Sequence, residues 1–107
     1  MAGNNAKEKL IDFLDRRVFQ PIMQANPDQR SEDKRDKVQR VQRATEDARK
    51  RYRSYDSAQK VYRMYRDDLT SGPAESVTRD LRALDLPTLA DVRDEFERLA
   101  DEVGAKS

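Results

Sequence analysis

A chain of 107 residues with 36% hydrophobic and 40% charged residues has room for one small domain and material for only a thin core. It contains neither His nor Cys, which removes the commonest metal ligands, general bases and nucleophiles and any disulfide framework. The mean hydropathy of −1.10 leans toward disorder. Against that, the apolar residues are periodic, and the 3 Gly and 4 Pro fall between the periodic segments.

The formal net charge of +1 hides an asymmetry. Residues 1–33 carry five basic and six acidic side chains, residues 34–66 twelve and four, and residues 67–107 five and eleven, giving blocks of −1, +8 and −6. The start, Met-Ala-Gly-Asn-Asn, lacks the apolar run of a signal peptide, and no stretch reaches the length of a membrane span. The expectation is a cytoplasmic protein with no membrane contact, a single helical domain over 1–107, and frayed ends at 1–5 and 104–107.

Asn5 and Glu8 have capping-box spacing, and Leu10, Ile11, Phe13, Leu14 and Val18 form a wide apolar face. A first helix is therefore predicted from about Ala6 to Phe19, with Asp12 and Arg16 paired outside and Pro21 ending or kinking it. Ile22 and Met23 are expected to tuck under as a short turn, and Asn26-Pro27-Asp28 reads as a turn.

Residues 31–55 form the longest predicted element. Val38, Val41, Thr45, Ala48, Tyr52 and Tyr55 step by 3, 4, 3, 4 and 3, so one thin apolar seam runs along an otherwise charged helix. Ser31 is its expected N-cap, with Glu32 and Asp33 favoured by the helix dipole. Near Asp56 the apolar register shifts to Ala58, Val61, Tyr62, Tyr65 and Leu69. This predicts a break and a third helix over about Ser57 to Leu69, with one kinked helix as the alternative. Asp56 and Gln59 have capping-box spacing.

Thr70-Ser71-Gly72-Pro73 interrupts the pattern, and Pro73 suits the first turn of a helix from about Ala74 to Leu84 carrying Val77, Leu81 and Leu84. After Leu86-Pro87, Thr88 and Asp91 form a capping-box pair. Leu89, Val92, Phe96, Leu99 and Val103 then continue to a stop at Gly104. The stretch Leu86-Pro87-Thr88-Leu89-Ala90-Asp91-Val92 resembles the helix start of phasin-type granule-associated proteins; it implies a capped helix and nothing about function. The predicted fold is all-α, a single irregular bundle of four to five helices with one long basic helix.

No glycine-rich phosphate loop or nucleophile elbow is present. Asp91, Asp94, Glu95 and Asp101 could line one side of the last helix and hold a divalent cation, but a solvated face explains them better, because no loop brings oxygen ligands to converge. No catalytic residue, cofactor or metal is expected. The stronger candidate is the basic block. Arg40, Arg43, Lys50 and Arg53 point away from the seam of the long helix, and Lys60, Arg63 and Arg66 continue at steps of three on the next. These seven could contact a partner or follow a phosphate backbone, with Tyr52, Tyr55, Tyr62 and Tyr65 stacking on bases. The competing reading has the basic helices docked on the chain's own acidic third and the tyrosines in the core. The functional expectation is a non-enzymatic interaction or regulatory module that engages a protein partner or a second copy through charge-separated surfaces. The alternative is an accessory nucleic-acid-binding protein using the basic face.

Overall fold

Pro21 does not end the first helix; it widens it. The computed structural model describes residues 2–26, 32–70 and 72–106, and in it the helix continues past Pro21 to Met23. It begins as α1 (Ala2–Leu14), passes through a π-helical turn at Asp15–Phe19 and finishes as α2 (Gln20–Met23). In the π turn the Gln20 N–H reaches back five residues to the Asp15 carbonyl. A proline in a regular helix would collide with the carbonyl four residues earlier, here Arg17, and would leave it without a donor; the wider turn relieves that collision. The expected Asp12–Arg16 pair does not form, because the backbone enters the π turn between them. Asn5 lies inside α1 rather than capping it, since capping-box spacing permits a start without forcing one.

The chain then returns along this helix as α3 (Glu32–Ser54). The antiparallel course follows from three contacts. Gln42 Nε2 donates to the carbonyls of Ile22, Met23 and Ala25 at 3.1, 3.3 and 2.9 Å, Arg49 reaches Asp15, and Lys7 Nζ donates to the Arg53 carbonyl. The predicted seam is the buried face: Val38, Val41, Thr45 and Tyr52 are buried and Ala48 and Tyr55 half-buried. The expected Ser31 cap, the Pro27-Asp28 turn and Ser71 lie outside the described residues.

The predicted break is present at Tyr55–Ser57, and α4 (Ala58–Thr70) follows. Its cap is Ser57 rather than Asp56: Ser57 Oγ accepts from the Lys60 N–H at 3.2 Å. Either residue has the chemistry, and a one-residue shift in where the helix begins decides between them. α4 packs on α1, and α5 (Gly72–Ala83) lies against both α3 and α4. A Thr88–Asp91 capping box, with both reciprocal bonds made at 3.0 and 3.3 Å, starts a 3₁₀ turn at Leu89–Val92, which runs into α6 (Arg93–Glu102).

Phe96 is the centre of the core. Tyr65 stacks on it at 4.1 Å between centroids, Tyr62 lies nearly parallel at 6.3 Å, and Phe13 of α1 meets it at 6.0 Å. Leu10, Leu14, Val18, Ile22, Val41, Tyr52, Val61 and Ala100 are fully buried in the same apolar cluster. The described residues thus form an all-α bundle, five helices when α1, the π turn and α2 are counted together, with no strand among them. The molecule measures 48 × 23 × 20 Å, and its long dimension reflects α3, whose 23 residues span about 35 Å at the usual rise.

Candidate functional site

The tyrosines of α3 and α4, Tyr52, Tyr62 and Tyr65, face inward, and Tyr55 of the break lies beside them. Tyr52 and Tyr65 have no exposed surface, Tyr62 has 9%, and Tyr55 is half-buried with its ring edge-on to Tyr52 at 5.4 Å. Three phenol hydroxyls are committed. Tyr52 donates to Asp68 at 2.6 Å, Tyr62 to Glu97 at 2.7 Å, and Tyr65 to the Leu89 carbonyl. Burial, seconded for Tyr52 and Tyr62 by these carboxylates, pushes all three phenol pKa values above the ordinary range. The rings of Tyr52, Tyr62 and Tyr65 are buried in the core, while Tyr55 keeps part of its surface toward solvent.

The basic residues behave otherwise. Arg40, Arg43, Lys50, Arg53, Lys60, Arg63 and Arg66 are all exposed. Arg40 pairs with Asp80 of α5 at 3.5 Å and Lys50 with Glu46 at 3.7 Å. Arg66 lies over the Tyr62 ring, 5.8 Å from its centroid. Arg43, Arg53, Lys60 and Arg63 make no ion pair among the described residues. α3, which carries the first four, packs on α2 and α5, whereas α4, which carries the other three, packs on α1 and α5; Arg51 and Tyr52 of α3 reach Asp68 of α4. Asp36, Glu46 and Asp47 share the exposed side of α3 and dilute its positive field.

Docking of basic helices on acidic ones within the molecule is partial. Arg40–Asp80 and Arg51–Asp68 join the basic block to the acidic third, and Arg49 turns to Asp15, with 2.8 Å between Nε and Oδ1. The carboxylates of α6 are spread among separate tasks. Glu95 pairs with Arg17, and that guanidinium holds its carboxyl below the usual range. Glu97 accepts from Tyr62 and pairs with Lys106 at 3.0 Å, with the same effect on its carboxyl. Asp91 belongs to the capping box. No group of three or more potential metal ligands comes together among the described residues.

Two features were not apparent in the sequence. One is Gln42, whose side-chain amide closes the C-terminal carbonyls of α2; a glutamine at the edge of a seam gives no signal of its partner. The other is a cleft of about 670 Å³ between α3 and α5. It is lined by Val18, Phe19 and Ile22 of the first helix, Ala44 and Ala48 of α3, Val77 and Leu81 of α5, Leu69 of α4 and Leu89 of the 3₁₀ turn. At its centre α3 presents the small side chains of Ala44, Thr45 and Ala48, flanked by Asp47 and Arg51. Alanines at positions 44 and 48, one turn apart, were the available sign.

A scan against protein-family models gives no match, and searches of curated proteins and of solved structures find no significant similarity. Among the described residues no helix is long and apolar enough to cross a membrane.

Proposed function

We propose that this chain is a small non-enzymatic interaction or regulatory module, engaging a protein partner or a second copy of itself through its charge-separated helical surfaces. The observation that carries the reading is the set of exposed cations, Arg43, Arg53, Lys60 and Arg63, that make no ion pair among the described residues. Charges left unmatched on rigid helices are available to complementary charges on another surface, where they set approach and register. The tyrosines, the best remaining candidates for acid–base work in a chain without His or Cys, are buried, and their raised pKa values suit them to the core rather than to proton transfer near neutral pH.

Nucleic-acid binding is the second reading, favoured by the exposure of all seven basic residues. It would rest chiefly on phosphate contacts, since Tyr52, Tyr62 and Tyr65 are committed to the core. One experiment separates the two. Light scattering on the protein alone is run beside fluorescence anisotropy with an acidic peptide and with mixed-sequence DNA and RNA, between about 50 and 200 mM salt. On the leading reading, the protein self-associates or binds the acidic peptide at low salt, and an Arg43/Arg53/Lys60/Arg63→Ala variant loses that association. Preference for DNA or RNA, lost in the same variant, transfers the surface to the second reading. A monomer that binds none of the three probes overturns both.

A further inference from the structure

We infer that the cleft binds a small uncharged molecule, apolar over most of its surface and carrying one hydrogen-bonding oxygen, at a site separate from the basic surface. The walls require a compact occupant. They come from five segments: the first helix, α3, α4, α5 and the 3₁₀ turn at Leu89–Val92. Ala44, Thr45 and Ala48 lie between two cross-links of α3, Arg40–Asp80 to α5 at 3.5 Å and Arg51–Asp68 to α4 at 3.0 Å. At the usual rise these two arginines stand about 16 Å apart along the helix, room for a small molecule and not for a chain laid across it. The volume of about 670 Å³ falls within the roughly 300–1,000 Å³ range of small-molecule sites.

The lining specifies the chemistry. Ala44, Ala48, Leu69, Val77 and Leu89 are only half-buried, so an apolar guest would take their remaining surface out of water. Arg51 and Asp68 satisfy each other, and Asp47 and Glu75 equal Arg79 and Arg82 in number. The charged lining therefore sums to zero and gives no net attraction for an ion. Asp47, Glu75, Arg79 and Arg82 are exposed and stay hydrated at the rim. One polar group differs from these. Thr45 is 4% exposed, and its hydroxyl makes no hydrogen bond among the described residues. The hydroxyl of Thr88, the other buried polar residue, is committed to the capping box. A buried hydroxyl without a partner is costly, and an oxygen on the guest supplies that partner while a small number of polar contacts fixes its orientation.

The test uses the full chain and three fluorescent probes of one shape: 1-hydroxypyrene, pyrene and pyrene-1-carboxylate, read by anisotropy. One 1-hydroxypyrene is expected per chain, bound about three- to tenfold more tightly than pyrene. The carboxylate is expected to bind about tenfold or more weakly than 1-hydroxypyrene, because its charge would lose water without gaining a partner. Thr45→Val removes the hydroxyl and keeps the shape. It should bring 1-hydroxypyrene to the affinity of pyrene and leave pyrene unchanged. It should not lower the thermal melt, since no hydrogen bond within the protein is lost. Ala48→Phe, which fills the cleft from α3, should weaken all three probes; if it folds poorly, Thr45→Val still decides. Tightest binding of the carboxylate would assign the cleft to an anion held by Arg79 and Arg82 and overturns the inference. So does a preference for 1-hydroxypyrene over pyrene that survives in Thr45→Val, and so does probe binding that a folded Ala48→Phe variant leaves intact. Absence of binding by all three probes overturns it as well.

Discussion

Phe96 has no exposed surface, and three rings from α1 and α4 meet it. Truncating it removes the group around which α4 and α6 are positioned and leaves a cavity that aromatic neighbours cannot collapse into. Phe96→Ala should therefore cost about 3–5 kcal/mol, read as a lower urea midpoint at unchanged slope. A small domain has only about 5–15 kcal/mol in total, so the variant should be marginal at room temperature. A near-parental midpoint would mean that the ring cluster contributes little. Phe96 was legible in the sequence as one position of a 3, 4 stepped seam. What periodicity could not supply is which rings it meets, because that depends on how α1 and α4 approach α6. The same limit applies to Gln42 and the tyrosine hydroxyls: their partners lie on other elements, and spacing along one helix carries no record of them.

At the scale of elements, boundaries set by local chemistry were readable and those set by geometry were not. Thr88 with Asp91 caps the last helical segment as its spacing indicates. Pro21 was read correctly as a perturbation, but how the helix absorbs it, by a π turn before the proline, is a choice between backbone solutions that one residue cannot encode. Two helix ends form a matched pair. After α6, Gly104 adopts φ +74°, and the N–H groups of Ala105 and Gly104 return to the carbonyls of Ala100 and Asp101 at 2.8 and 3.2 Å. After α5, Asp85 adopts φ +60° in the same motif, and Leu86 and Asp85 return to Leu81 and Arg82 at 2.9 and 3.2 Å. Glycine takes this left-handed conformation freely, and a residue with a Cβ does so at a cost of about 1–2 kcal/mol, somewhat less for Asp. The expected outcomes have opposite signs. Gly104→Ala should destabilise by about 1 kcal/mol through backbone strain alone, since a Cβ there meets nothing within 4 Å. Asp85→Gly should stabilise by a few tenths to about 1 kcal/mol. Thermal melts of the two variants check both, and shifts in the same direction would refute the shared explanation.

For the whole molecule, the composition sets an unusual pH response. With no His and no Cys, no side chain has an ordinary pKa between those of the carboxylates, about 4.3 and below, and that of tyrosine, about 10. Stability should therefore be nearly level across the neutral range. The two edges come from groups that join distant segments. On the acid side, Glu95 is held low by Arg17, and Glu97 by Tyr62 and then Lys106. Below the ordinary Glu range the unfolded chain takes up protons that these folded carboxylates still refuse, so their contribution is present above that range and is lost as pH falls through their depressed values. On the alkaline side, Tyr52, Tyr62 and Tyr65 keep their protons in the fold after the unfolded chain has released them, so stability falls as pH rises above about 10. Urea midpoints measured against pH should trace a plateau with a falling limb at each end. Glu97→Gln should flatten part of the acid limb, and Tyr65→Phe should move the alkaline limb upward even as it lowers the plateau by the lost hydrogen bond to Leu89. A slope through neutral pH would require a titrating group that these side chains do not provide. An alkaline limb unmoved in Tyr65→Phe would mean that the onset belongs to the lysines rather than to the buried phenols.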